Sequence, residues 1–141
     1  MKNYERYINV RVDSPHKIIH TEWTRSVSGS EFRRGLLEIQ KLILKENLEN
    51  WLICASVFIP PVALDQKWTI EHLFPHFLNS SLRKIAVVLP GDHFLHMLAN
   101  SMIEKTYRLY GHRIQLECFS RVEHARHWLL TLDETQGALS A

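Results

Sequence analysis

Nine histidines carry most of the potential chemistry of this 141-residue chain, and three pairs of them have helical spacing. His72 and His76 are four apart, so a regular helix would set both on one side, as two zinc ligands require. The string Glu71-His72-Leu73-Phe74-Pro75-His76 is not the H-E-x-x-H of a metalloprotease, Pro75 disturbs the helix between them, and no third ligand is evident. His93 and His96, and His124 and His127, are three apart and adjacent on their helices. A chain this rich in histidine produces such pairs by chance, and each pair reads as a polar helix face. No Ser–His–Asp arrangement can be assembled. The expectation is therefore no catalytic residue, no metal ligand set and no cofactor site.

Pro90-Gly91-Asp92 follows an apolar run and opens a helical pattern, where phosphate loops sit in other folds. One glycine beside a carboxylate makes a poor anion cradle, so the stretch reads as a turn with Asp92 as N-cap. Cys54 and Cys118 each lie in a run of strand length, where a buried thiol acts as a small hydrophobe. Two cysteines cannot form a disulfide framework. Trp23, Trp51, Trp68 and Trp128 are spread over four segments and read mainly as core, with Trp23 and Trp68 candidates for its rim.

Composition narrows the class. The chain is 45% hydrophobic and 23% charged, as in ordinary globular proteins. A net charge of +2 is too small to argue for nucleic acid, and the densest basic pair, Arg33-Arg34, is flanked by Glu31 and Glu38. No stretch reaches the ~18 apolar residues of a membrane span. The opening Met1-Lys2-Asn3-Tyr4-Glu5 has no apolar core of a signal peptide. A soluble cytoplasmic protein is expected.

The elements that would hold these residues follow from periodicity. Residues 4 to 12 alternate, with Tyr4, Arg6, Ile8, Val10 and Val12 on one side and Glu5, Tyr7, Asn9 and Arg11 on the other, and read as one strand. Asp13-Ser14-Pro15-His16 turns the chain into a second, antiparallel strand with Ile19, Thr21 and Trp23 on one face. Ser28 and Glu31 form a capping box ahead of Phe32, Leu36, Ile39 and Ile43, which predicts a helix over 30–47. Trp51 to Phe58 is a continuous apolar run, the sign of a strand covered on both faces. Pro60-Pro61 ends it, and a helix begins near Leu64 or Asp65, with Pro75 expected to kink or split it near Phe74.

Arg83 to Leu89 is a second buried run, Phe94, Leu98 and Met102 line the next helix, and Gly111 fits its C′ position. His112 to Phe119 is the last strand. Ser120 and Glu123 repeat the capping box ahead of a helix carrying Val122, Ala125, Trp128, Leu129 and Leu132. The order is ββαβαβαβα: an α/β fold with a mixed sheet, a hairpin followed by parallel strands, and helices mainly on one side. Residues 1–133 form one domain and 134–141 a frayed tail. Cys54 and Cys118 should lie on strands separated by a third, too far apart to bridge.

This order resembles the STAS domain, the SpoIIAA-like fold of bacterial anti-sigma factor antagonists, which is close to the Sec14 or CRAL-TRIO lipid-binding domain. The sequence is most similar to small stand-alone bacterial STAS-like proteins in Glu22-Trp23-Thr24, Trp51-Leu52-Ile53, Asp65-Gln66-Lys67-Trp68-Thr69-Ile70-Glu71 running to Phe74-Pro75, and Ile85-Ala86-Val87-Val88-Leu89-Pro90. The resemblance implies a non-enzymatic regulatory or protein-interaction module. It also implies a phosphorylated Ser or Thr at the turn into the second helix, but here that turn, Pro60 to Gln66, has neither hydroxyl nor glycine.

Sites on open parallel sheets gather beyond the carboxyl ends of the strands. That places the candidate partner surface at Phe58, Pro60, Pro61, Asp65, Pro90, Asp92 and His93. The partner expected is another protein, with a homodimer through the hairpin edge as one form. The Sec14 likeness implies an alternative, a carrier of a small apolar molecule or lipid, which needs a cavity of several hundred Å³ with Trp68, Phe74 and Phe77 as its lid.

Overall fold

A computed structural model describes residues 2–4, 7–55, 63–89, 91 and 93–131. Its strands are β1 (Lys2–Tyr4), β2 (Ile8–Asp13), β3 (Ile18–Trp23), β4 (Asn50–Cys54), β5 (Lys84–Val88) and β6 (Gln115–Phe119). Its helices are α1 (Gly29–Glu46), α2 (Ala63–Trp68), α3 (His93–Tyr110) and α4 (Val122–Leu130). All six strands join one sheet in chain order. β1, β2 and β3 are antiparallel neighbours, and β3 through β6 run parallel. The α/β class and the mixed sheet are as the patterning predicts.

The first strand departs from expectation. Tyr4 pairs with Ile8 and Lys2 with Val10, so the alternating stretch 4–12 is two strands folded on each other. Ile8 and Val10 still face the core as predicted, but Tyr7, assigned to the opposite side, is fully buried in the same cluster. Alternation holds only while the backbone stays extended, and here the chain doubles back.

Local signals explain the other elements. Ser28 Oγ accepts from the Glu31 amide, and the Glu31 carboxylate accepts from the Ser28 amide, closing the capping box of α1. Leu36, Ile39 and Ile43 bury one stripe of that helix against the sheet. Gly35 permits the close approach, since a Cβ there would collide with Ile8 Cδ1. Gly111 ends α3 with φ 76°, the left-handed C′ conformation that glycine adopts without strain. The second capping-box pattern is not used. Arg121 is the N-cap of α4, with no side-chain cap bond, because the helix begins at Val122, one residue too late for Ser120 to be its N-cap.

The sheet has two covered faces. Ile19, Trp51, Ile85 and Ile114 belong to one core beneath α1 and the segment 68–78. Leu52, Cys54, Ala86 and Val88 belong to a second core under Ala125 and Leu129 of α4. Three helices thus share one face and α4 covers the other. Lys84 is buried at the foot of α4, where its ammonium donates to the carbonyls of Trp128 and Thr131 and lies 5.1 Å from the Trp128 ring centre. The expected N-cap Asp92 and the tail 134–141 lie outside the described residues.

An apolar chamber as candidate functional site

The alternation of the parallel strands builds one wall of a chamber. Register aligns Trp51 with Ile85 and Leu116, and Ile53 with Val87, so their side chains emerge from the same face. Phe32 and Leu36 of α1 close one side. Thr69, Ile70, Leu73, Phe74 and Phe77 close another, and Leu98, Ala99, Met102, Ile103 and Thr106 of α3 form the roof. The space between them measures about 190 Å³.

Pro75 shapes the second wall. After α2 the chain passes through a π-helical turn, Thr69–Leu73, and a 3₁₀ turn, Phe74–Phe77. The Phe74 amide reaches back to the Thr69 carbonyl. Pro75 has no amide and cannot continue an α ladder, so the helix splits at Phe74 as the sequence predicts. Widened π turns recur at functional sites, and this one presents Thr69, Ile70 and Leu73 to the chamber.

The roof is tied down at one end. Tyr110 Oη donates to the Ile70 carbonyl at 2.9 Å, and its ring stacks on Phe74 at 5.4 Å. Tyr107 Oη accepts from the Leu116 amide and donates to the Leu116 carbonyl, which caps the free edge of β6. Burial pushes the Tyr107 phenol up from its ordinary pKa. Toward the other end the helix is poorly buried. Phe94, expected to line the core, is 63% exposed and Met97 55% exposed. Thr106 is the buried residue of α3, and the side chains that do face the sheet are too few to fill the gap.

The chamber is electrostatically bland. None of the described residues that line it carries a formal charge. The Trp51 indole N–H is spent on Thr21 Oγ1 at 3.0 Å, and Thr106 Oγ1 donates to the Met102 carbonyl at 2.7 Å. A polar group entering without a partner would cost about 2–7 kcal/mol.

A pair invisible in the sequence lies on the opposite face. His20 Nε2 sits 3.2 Å from Cys54 Sγ, while Arg11 Nη2 sits 2.8 Å from His20 Nδ1. A guanidinium can only donate, so Nδ1 accepts and the ring proton resides on Nε2, facing sulfur. A catalytic Cys–His couple needs the reverse, a bare nitrogen ready to take the thiol proton. Burial pushes the Cys54 thiol up to about 11, with the Glu22 carboxylate adding to it. Burial, then the Arg11 charge, holds His20 below its ordinary value. This arrangement keeps a thiol protonated and inert. The other cysteine, Cys118, is likewise pushed up to about 11 by burial. Both thiols are free; β5 separates them, and register puts Cys54 with Val88 on one face and Cys118 with Val87 on the other.

Of the predicted partner surface, Phe58, Pro60, Pro61, Pro90 and Asp92 lie outside the described residues. Asp65 lies within α2, and His93 is exposed at the start of α3. The chamber reaches the same end of the sheet, since Ala55 and Leu89, just past β4 and β5, line it. His72, His76, His124 and His127 are exposed. Among the described residues no three His, Cys, Asp or Glu side chains gather to hold a metal ion. No helix among them is long and apolar enough to cross a membrane.

Comparison with known proteins adds no assignment: no family model matches the chain, nor does a curated protein or a solved structure.

Proposed function

We propose that this chain is a non-enzymatic binding module of STAS type that holds one small apolar molecule between its sheet and α3. The observation that carries the reading is the chamber. The chamber is apolar and partly open, so water reaches its walls, and a ligand filling its 190 Å³ would take that surface out of water at ~25 cal/mol per Å².

The chamber is smaller than the several hundred Å³ that a Sec14-like carrier of a two-chain lipid needs. An engineered cavity of about 150 Å³ in another protein holds a benzene molecule, so the scale here is that of one or two rings.

What supports the STAS lineage is the sequential order of the sheet, with a hairpin leading into parallel strands. In that lineage the output is a protein contact, at the Phe58–Asp65 and Pro90–His93 surface in the cytoplasm. Exposed Phe94 and Met97 extend the surface onto α3, the helix that roofs the chamber. A ligand that sets α3 would therefore set the contact face.

Two tryptophans, Trp23 and Trp51, line the chamber and report on its contents. Titration with indole or benzene should change their fluorescence and raise the melting temperature. Ala99→Phe should fill the space, abolish both responses, and stabilise the protein by about 0.5–2 kcal/mol. Absence of any response in the wild-type chain, with Ala99→Phe destabilising, would remove the proposal.

A further inference from the structure

Resting on the chamber reading above, we infer that the ligand is an uncharged ring compound of one or two fused rings bearing a single hydroxyl or N–H, which His96 receives.

Three observations lead there. The first is charge. With no ionic side chain among the described lining residues, a carboxylate or ammonium held inside the chamber would lose water and meet no counter-ion there. The second is shape. Rings of Trp23, Phe32, Trp51, Phe74 and Phe77 face the space, and flat faces and edges of this kind favour a flat guest over a flexible chain, which would also lose rotamer freedom on entry.

The third is an orphan. His96 Nε2 is buried with no hydrogen-bond partner among the described residues, although buried imidazole nitrogens are ordinarily satisfied. On α3, His96 precedes Ala99 by three residues and Ile103 by seven, so it shares their stripe one turn closer to the helix start. Both of those residues line the chamber. The lining hydroxyl of Thr106 is committed to the Met102 carbonyl and the Trp51 indole to Thr21, and the other polar lining residues, Gln66 and Thr69, have interactions of their own. His96 lies one turn beyond the lining residues, so its nitrogen would meet a polar group that extends from the ring toward the start of α3: the ring supplies affinity and the nitrogen fixes orientation.

The test uses the whole chain and three naphthalenes of nearly equal size at pH 7, followed by calorimetry or tryptophan fluorescence: naphthalene, neutral 2-naphthol and anionic 2-naphthoate. Decanol serves as the neutral chain. The expected order is 2-naphthol tightest, naphthalene three- to tenfold weaker, decanol weaker again, and 2-naphthoate at least a hundredfold below 2-naphthol. His96→Leu should bring 2-naphthol down to the naphthalene level and leave naphthalene unchanged. His96→Gln, which keeps a hydrogen-bonding side chain, should retain much of the preference.

Naphthoate binding as well as naphthol, or decanol binding best, would overturn the ligand class while leaving the chamber reading intact. A naphthol preference that survives in His96→Leu would overturn the role of His96. Failure of all four probes to bind would overturn the chamber reading together with the inference.

Discussion

Thr21 sits in the middle of β3 with no solvent exposure, yet its side chain is polar. Its hydroxyl has one evident task, accepting the indole N–H of Trp51 from the neighbouring strand at 3.0 Å. That bond fixes the ring, which lines the chamber and meets Phe77 edge-on at 5.9 Å. Valine has almost the same shape without the acceptor. Thr21→Val should leave a buried N–H unpaired and destabilise the fold by about 1–3 kcal/mol, read as a lower urea midpoint with unchanged slope. An unchanged midpoint would mean that the indole finds another acceptor. His20 and Cys54 show the complementary case, in which the identity of a donor decides chemistry. Because Arg11 occupies His20 Nδ1, the imidazole offers sulfur a proton and cannot remove one.

At the scale of elements, α4 depends on a cation supplied by the sheet. Lys84, a buried residue of β5, donates to two carbonyls at the C-terminal end of the helix, Thr131 and Trp128, the latter also accepting from the Thr131 amide. The ammonium also meets the negative end of the helix dipole. Lys84→Met keeps the apolar stem and removes three donors. It should cost about 1.5–3 kcal/mol and lower amide protection in α4 more than in α1, as hydrogen exchange would resolve. Equal protection in both helices would show that the cap is dispensable.

Not every such device is visible in the chain. Ser28-x-x-Glu31 and Ser120-x-x-Glu123 are the same local pattern, but only the first caps a helix. Local spacing permits a capping box; where the preceding strand releases the chain decides whether it forms. Pro75 was legible because its missing amide acts within its own helix. The reversal that separates β1 from β2 was not, since the residues on either side of it keep the alternation of a single strand.

For the whole molecule, the chamber was legible only in its parts. Trp51, Ile85, Phe74 and Phe77 read correctly as apolar, but apolar residues predict burial and not how completely they fill the space they enclose. The void depends on α3 presenting Leu98 and Met102 to the sheet while Phe94 points away, a packing outcome that no window of sequence contains. The same holds for the ties that close the fold over long sequence separations. Asp13, at the end of β2, bonds Arg126 of α4 at 2.8 Å; a local tie, six residues long, joins Arg25 to Glu31 at the start of α1 at 2.9 Å.

Those contacts make acid stability predictable in two stages. His20 is held below its ordinary 6.5, chiefly by burial, so the native state resists a proton that the unfolded chain accepts, and stability should begin to fall as pH drops below that value. Asp13 is lowered to about 2, first by Arg126 and then by His16, and Glu31 to about 2, first by Arg25 and then by the Ser28 amide. Their contribution is complete above the unfolded carboxylate values near 4 and is lost as pH falls through about 2. Urea midpoints at pH 8, 5.5 and 3 should therefore show two separate declines. Asp13→Asn should lower the pH 8 midpoint slightly, since the pair is partly exposed, and flatten the second decline while leaving the first. A wild-type curve flat from pH 8 to 5.5 would remove the His20 assignment, and an undiminished loss between pH 5.5 and 3 in Asp13→Asn would remove that of the Asp13–Arg126 tie.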